Sequence, residues 1–108
     1  KLINKFYNQF KNLKFIDLSG DFRISNKSSY KNYYGITHKA PNLINKSIYS
    51  ISELVKDKIS NYRIISNPGC YPTTVQIPLI PLINKKLINT ENITIDAKSG
   101  YSGGNVSY

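Results

Sequence analysis

The run Asn67-Pro68-Gly69-Cys70-Tyr71-Pro72 is the feature that most constrains the fold of this chain. It follows residues 62–66, a short stretch rich in β-branched side chains, which predicts a strand. It precedes residues 75–83, which are mostly apolar and predict a helix. Pro72 fits the first turn of that helix, because the missing N–H has no acceptor there in any case. The pattern therefore predicts a strand, a tight turn and a helix in succession, with Cys70 at the start of the helix.

The rest of the chain predicts further alternation of helices and strands. Residues 1–12 carry apolar side chains at spacings of three and four and predict a helix, and residues 13–18 predict a strand. Residues 20–50 show no sustained period, so we expect an irregular surface excursion. Ser52 is expected to cap a short helix that ends at Ile59. Pro78 and Pro81 are expected to bend or break the helix after Cys70, and residues 92–97 predict a last strand. The fold class is therefore α/β.

Composition narrows the classes of function. The 108 residues carry a formal charge of +9, but the lysines are spread along the chain without a block of five or six, and nucleic-acid binding needs a clustered basic surface. No apolar run approaches the ~20 residues of a membrane helix. We expect neither nucleic acid nor membrane as a partner. Cys70 is the one cysteine, so we expect no disulfide, no metal site and a reducing, cytoplasmic setting.

Cys70 has two interpretations when only its own position is considered. A thiol at a helix N-terminus faces unpaired backbone N–H groups and the positive end of the helix dipole, which favour the thiolate form that acts as a nucleophile. A free cysteine is also among the most buried residue types, so a structural role is the alternative.

Four motifs along the chain resemble the N-acetyl-gamma-glutamyl-phosphate reductase family. The run from Asn67 to Thr73 matches the family's nucleophile motif without a break. The segment from Asp17 to Arg23 is similar to the family's Asp-Leu-Ser-Ala-Asp-Phe-Arg, with Gly20 in place of alanine. Residues 34–41 resemble its Tyr-Gly-x-x-His-x-x-Pro stretch, and residues 98–103 resemble its glycine loop.

The resemblance implies a role for individual residues. Cys70 would attack the acyl carbon of an acyl phosphate to form a thioester, which NADPH would reduce to an aldehyde. Arg23 would hold the substrate phosphate, since a guanidinium meets two phosphate oxygens at once. The Ser19 hydroxyl would donate a hydrogen bond to the same anion or to the cofactor. The alternative is that Ser19 only closes its own turn. Asn67, Ser102 and Gly103 would contact the cofactor. His38 is expected to order its own loop through hydrogen bonds, because the family's acid/base histidine lies after the glycine loop.

The resemblance also implies a domain organisation. Residues 1–68 would form the second half of a Rossmann-like dinucleotide-binding domain, and residues 69–108 the start of an α+β semialdehyde-dehydrogenase-like catalytic and dimerisation domain. The chain has no methionine and lacks the glycine fingerprint of a dinucleotide-binding first turn. We therefore expect an internal fragment of a longer protein that is a homo-oligomer at full length, with its general base beyond residue 108.

Two alternatives stay open at this stage. One is a sibling reductase acting on aminoadipyl or aspartyl phosphate, of which the aspartyl enzyme fits less well because its cysteine segment is usually Asn-Cys-Thr. The other is a basic, non-catalytic binding module with a buried cysteine.

Overall fold

Three short parallel strands organise the first part of the chain in the computed structural model, which describes residues 2–100. The strands are β1 (Phe15–Asp17), β2 (Ser47–Tyr49) and β3 (Ile64–Ser66), and β3 lies between the other two. Phe15 and Ser47 both pair with Ile64, while Asp17 and Tyr49 both pair with Ser66. The carboxyl ends of all three strands therefore meet at one edge of the sheet.

Within residues 2–100, four helices lie before, between and after these strands. They are α1 (Leu2–Gln9), α2 (Lys27–Tyr34), α3 (Lys56–Ile59) and α4 (Cys70–Asn84), with 3₁₀ turns at Ile44–Lys46 and Ser52–Leu54. The chain divides into two compact units, Lys1–Gly69 and Cys70–Tyr108. The parallel sheet belongs to the first unit, which confirms the α/β class.

The core of the first unit lies on one face of the sheet. Its buried members are Tyr7, Phe22, Ala40, Leu43 and Ile64, and Ile3 and Phe15 pack against them. Ile16, on the other face, is 73% exposed. The apolar stripe predicted for residues 1–12 therefore gives the helix α1, whose Ile3 and Tyr7 reach this core.

The expectation of an irregular excursion over residues 20–50 is wrong. Asn26 begins α2 by accepting a hydrogen bond from the Ser29 backbone N–H, and Gly35 ends it in the left-handed region at φ 71°. Both are standard helix boundary residues. The strand β2 then follows at Ser47–Tyr49. The helical spacing of apolar residues is not visible in this sequence, because α2 has one buried residue, Tyr30, among polar side chains.

Three further expectations need correction. Ser52 caps no helix: it begins a 3₁₀ turn, and α3 starts only at Lys56. Of the two effects expected of Pro78 and Pro81, the break is wrong, because α4 contains both prolines and is one continuous element. None of its residues is buried, which leaves water available for the carbonyl groups that a proline leaves without a donor. Residues 92–97 form no strand. A strand needs a partner, and between residues 70 and 100 the structure describes no other strand.

Candidate active site

The segment after β1 turns sharply around the Asp17 carboxylate. Asp17 Oδ1 accepts hydrogen bonds from the Ser19 backbone N–H at 3.1 Å and from the Ser19 hydroxyl at 2.7 Å. The Ser19 hydroxyl oxygen in turn accepts from the Asp21 backbone N–H at 3.2 Å. The Ser19 hydroxyl hydrogen is therefore engaged by Asp17, so Ser19 closes its turn, which is one of the two roles expected for it.

Arg23 joins this loop to the segment after β3. Its Nε donates to the Asn67 carbonyl oxygen at 3.2 Å, and its Nη2 donates to the Leu18 carbonyl oxygen at 3.0 Å. A guanidinium has five N–H donors in a planar fork. These two bonds fix the plane of the guanidinium and use the N–H of Nε and one N–H of Nη2. The N–H groups that remain, on Nη1 and Nη2, form the edge that an anion can approach.

Asn67 also donates hydrogen bonds through its backbone N–H and its side chain. Its backbone N–H donates to the Asp17 carbonyl oxygen at 2.8 Å, which extends the pairing of β1 and β3 by one residue. Its side-chain Nδ2 donates to the Pro68 carbonyl oxygen at 2.9 Å. The structure thus brings Ser19, Arg23 and Asn67 together at the carboxyl ends of β1 and β3, the edge at which parallel α/β sheets bind ligands.

Cys70 is exposed and is the first residue of α4. It lines a groove of about 590 Å³ between the first turns of α4 and residues 93–100. The groove is mainly apolar, with Val75, Leu79 and Ile95 among its walls. The thiol therefore lies at a helix N-terminus and beside a space that can take a small molecule. Ser102 and Gly103, expected to contact the cofactor, lie outside the described residues.

His38 is a buried structural residue. The Ala40 backbone N–H donates to Nδ1 at 3.0 Å, so Nδ1 is the acceptor and the ring proton is on Nε2. Nε2 in turn donates to the Asp21 carbonyl oxygen at 2.8 Å. Both ring nitrogens are used within the loop, which confirms the expectation that His38 orders it.

Tyr30 supports the same loop from α2. Its ring lies edge-on to His38 with the centroids 4.8 Å apart, and its hydroxyl donates to Asp21 Oδ1 at 3.4 Å. Burial raises the pKa of Tyr30 above 10.0, and the neighbouring Asp21 carboxylate raises it further. The loop from Ser19 to Arg23 is therefore supported by a buried aromatic cluster.

Asp17, whose carboxylate holds the turn of this loop, was not predicted from the sequence as a site residue. It belongs to the motif that ends at Arg23, and an aspartate two residues before a serine at a strand end is typical of a side-chain-stabilised turn. Among residues 2–100, no group of three or more His, Cys, Asp or Glu side chains could hold a metal ion. Over the same residues, no helix is long and apolar enough to cross a membrane.

Comparison with known proteins gives matches along most of the chain. Residues 70–107 match the family described as semialdehyde dehydrogenase, dimerisation domain. A protein of Oryza sativa subsp. japonica named probable N-acetyl-gamma-glutamyl-phosphate reductase, chloroplastic, is 50% identical over 91 residues, which are 84% of this chain and 22% of that protein. The N-acetyl-gamma-glutamyl-phosphate reductase of Acinetobacter baylyi is 48% identical over 93 residues, which are 84% of this chain and 27% of that protein.

The chain thus spans about a quarter of the length of the curated relatives that it matches. The identity extends over both units, well beyond the nucleophile motif. Along the segment that it shares with them, this chain is a homologue of proteins named N-acetyl-gamma-glutamyl-phosphate reductase, at about 50% identity over 84% of its length.

Proposed function

We propose that this chain is part of a reductase that converts N-acetyl-glutamyl 5-phosphate to N-acetyl-glutamate 5-semialdehyde in arginine biosynthesis, with Cys70 as the nucleophile. One observation carries the proposal. Cys70 is exposed at the first residue of α4, beside a groove, in a chain about half identical to proteins that bear this enzyme's name.

The chemical step assigned to Cys70 is acyl transfer. The thiolate Sγ attacks the acyl carbon, a C–S bond forms, and the C–O bond to the phosphate breaks as the phosphate leaves with that electron pair. The product is a thioester on Cys70. Covalent catalysis of this kind divides one difficult reaction into two easier ones. The first turn of α4 supports the thiolate through its backbone N–H groups and the helix dipole.

Arg23 is proposed to bind the phosphate of the substrate. Its two bonds to backbone carbonyl oxygens hold the guanidinium plane in place before any ligand arrives. A side chain that is already ordered loses less conformational entropy on binding. Its open edge offers parallel N–H groups, the geometry that suits a phosphate.

Reduction of the thioester requires a hydride donor, for which the family resemblance implies NADPH. The described residues contain no glycine-rich turn of the kind that cradles a dinucleotide pyrophosphate. Asn67 is the one expected cofactor residue that the structure describes. The residues described therefore do not make a dinucleotide site by themselves.

The domain assignment is proposed on the same basis. The parallel sheet with connecting helices supports a Rossmann-like origin for residues 1–68. The match of residues 70–107 to a dimerisation domain supports a catalytic and dimerisation domain for residues 69–108, and with it a homo-oligomer at full length.

The test is a single-turnover reaction of the reductase that contains this chain with N-acetyl-glutamyl phosphate, in the absence of NADPH. We expect release of one equivalent of inorganic phosphate and a mass increase on the intact protein equal to the acyl group, located on Cys70 by peptide mapping. Cys70→Ser is expected to abolish both. Arg23→Lys is expected to slow the reaction, whereas Lys58→Ala, which removes an exposed charge on α3, is expected to leave it unchanged.

Two outcomes would contradict the proposal. Phosphate release that is the same in Cys70→Ser would remove the nucleophile assignment. Acylation of Cys70 at equal rates by N-acetyl-glutamyl phosphate and by an aminoadipyl phosphate would remove the substrate assignment and leave only the acyl-phosphate class.

A further inference from the structure

Asp21 is the residue at which the loop from Ser19 to Arg23 is held. Its backbone N–H donates to the Ser19 hydroxyl oxygen at 3.2 Å. Its carbonyl oxygen accepts from His38 Nε2 at 2.8 Å, and its Oδ1 accepts from the Tyr30 hydroxyl at 3.4 Å. His38 and Tyr30 both lie outside the loop. Two side chains from elsewhere in the first unit therefore hold one residue two positions before Arg23.

The imidazole of His38 also contacts the next residue of the loop. Phe22 is 4% exposed, and its ring lies edge-on to His38 with the centroids 5.2 Å apart. The carbonyl group that His38 binds belongs to the peptide unit between Asp21 and Phe22, and a peptide unit is planar. The hydrogen bond therefore fixes the orientation of this unit, and the buried ring fixes the residue that immediately precedes Arg23.

His38 is a rigid support. It is 6% exposed, and its Nδ1 accepts from the Ala40 backbone N–H at 3.0 Å. The Tyr30 ring lies edge-on to it with the centroids 4.8 Å apart. An imidazole that is bonded at both nitrogens and packed against two aromatic rings has one orientation, so it can hold the Asp21 carbonyl group in one place.

Arg23 depends on the residues before it because its own backbone is weakly held. Its backbone N–H donates to the Gly20 carbonyl oxygen at 3.4 Å, which is longer than the about 2.9–3.0 Å that is usual for such a bond. The guanidinium reaches two carbonyl oxygens on different segments, those of Leu18 at 3.0 Å and Asn67 at 3.2 Å. Since a hydrogen bond needs both a short distance and a favourable angle, a shift of the Arg23 backbone would weaken one or both of these bonds.

We propose that His38 and Tyr30 are positioning residues for Arg23. Through Asp21 they fix the backbone from which the guanidinium reaches its two carbonyl acceptors, and so keep its remaining N–H groups available to a phosphate. This inference rests on the proposed role of Arg23 in binding the substrate phosphate. If His38 and Tyr30 only stabilised the fold, their substitution would lower stability without a specific change in phosphate affinity.

Two substitutions separate the two hydrogen bonds of the imidazole. In His38→Asn the amide oxygen can take the place of Nδ1 and accept from Ala40, but the side chain is too short to reach the Asp21 carbonyl oxygen. In His38→Gln the amide nitrogen can take the place of Nε2 and donate to Asp21, while the Ala40 N–H loses its acceptor. Each variant loses one hydrogen bond, so we expect both to be less stable, but only His38→Asn releases Asp21.

The test measures the inhibition constant of inorganic phosphate, competing with N-acetyl-glutamyl phosphate, in the reductase that contains this chain. We expect His38→Asn to raise that constant about three- to tenfold, the factor expected when a flexible side chain must become ordered on binding. His38→Gln is expected to change it less than about twofold, although thermal unfolding shows a loss of stability in both variants. In an Arg23→Ala background, His38→Asn is expected to have no further effect, because the residue through which it acts is absent.

Tyr30→Phe decides the question if His38→Asn does not fold. It keeps the ring against His38 and removes only the hydroxyl that donates to Asp21, so we expect the inhibition constant of phosphate to rise about two- to threefold. Tyr33→Phe is the matched control on the same helix. It removes a hydroxyl from a ring that is 77% exposed, and it is expected to leave the constant unchanged.

The outcomes separate this inference from the function on which it rests. An unchanged inhibition constant in Arg23→Ala would remove the phosphate-binding role of Arg23 and this inference with it. A raised constant in Arg23→Ala together with equal constants in His38→Asn and His38→Gln would overturn the inference alone. Equal constants in Tyr30→Phe and Tyr33→Phe would do the same where His38→Asn does not fold, as would a His38→Asn effect that persists in full in the Arg23→Ala background.

Discussion

Replacing Arg63 with alanine is expected to weaken the whole first unit, because this one side chain holds the end of α1 against the sheet. Arg63 Nη2 donates to the carbonyl oxygens of Tyr7, at 3.0 Å, and Phe10. Its Nε donates to the Leu13 carbonyl oxygen at 3.1 Å. The carbonyl groups at the C-terminal end of a helix have no intrahelical donor, and the helix dipole there favours a cation.

The magnitude follows from these contacts. Hydrogen bonds from a charged donor each contribute about 1.5–3 kcal/mol, and exposure to solvent reduces the value to about 1 kcal/mol each for this partly exposed group. The guanidinium also lies 4.2 Å from the Tyr7 ring centroid, a cation–π contact that contributes about 0.5–1 kcal/mol. We therefore expect Arg63→Ala to lower the free energy of unfolding by about 3.5–4 kcal/mol, a large part of the 5–15 kcal/mol typical of a domain.

The assay is urea unfolding followed by far-UV circular dichroism, with three variants measured together. Arg63→Lys keeps the charge but has no planar fork, so we expect a loss of about half that of Arg63→Ala. Lys11→Ala removes an exposed positive charge two residues after α1 and is the control, with an expected change within about 0.5 kcal/mol. Equal stability of Arg63→Ala and Lys11→Ala would refute the reasoning, because charge alone would then account for the effect.

Three further predictions concern the cluster around the candidate site. Because the pKa of Tyr30 is raised above its ordinary value of 10.0 in the folded chain, the contribution of Tyr30 to stability is expected to be constant below about pH 10 and to be lost as pH rises further. Tyr30→Phe should make that fall less steep in unfolding measured across this range, and parallel curves would contradict it. His38→Ala should cost about 2–4 kcal/mol by urea unfolding, since the Ala40 N–H and the Asp21 carbonyl each lose a partner; His38→Asn, which keeps an acceptor for Ala40, should cost less. Gly35→Ala should cost about 1–2 kcal/mol because φ is 71° there, whereas Gly20→Ala should be nearly neutral, since its Cβ meets only the outer end of the Tyr34 ring; equal costs would contradict the conformational argument.

The secondary structure was predicted correctly where it depends mainly on adjacent residues in the sequence. The strand that became β3 and the helix start at Cys70 depend on adjacent residues, and both are present. Prediction from the sequence failed where secondary structure depends on pairing with residues that are distant in the sequence. Residues 92–97 have strand-forming side chains but no strand to pair with between residues 70 and 100. The strand β2 lies within residues 20–50, where the sequence shows no sustained period, and its pairing with β3 defines it.

The candidate site divides in the same way. Cys70 and Arg23 were found because they belong to motifs, but the arrangement that orders Arg23 is three-dimensional. Its Nε bond crosses 44 residues to Asn67, and it forms only because β1 and β3 pair in a register that brings Asp17 beside Ser66. A shift of that register by one residue would move Asp17 and Ser66 out of line and separate Arg23 from the Asn67 carbonyl. The pairing of two short strands therefore determines whether the loop can present a guanidinium to an anion, and the residues that secure this pairing, Arg63 among them, matter to the site without touching it.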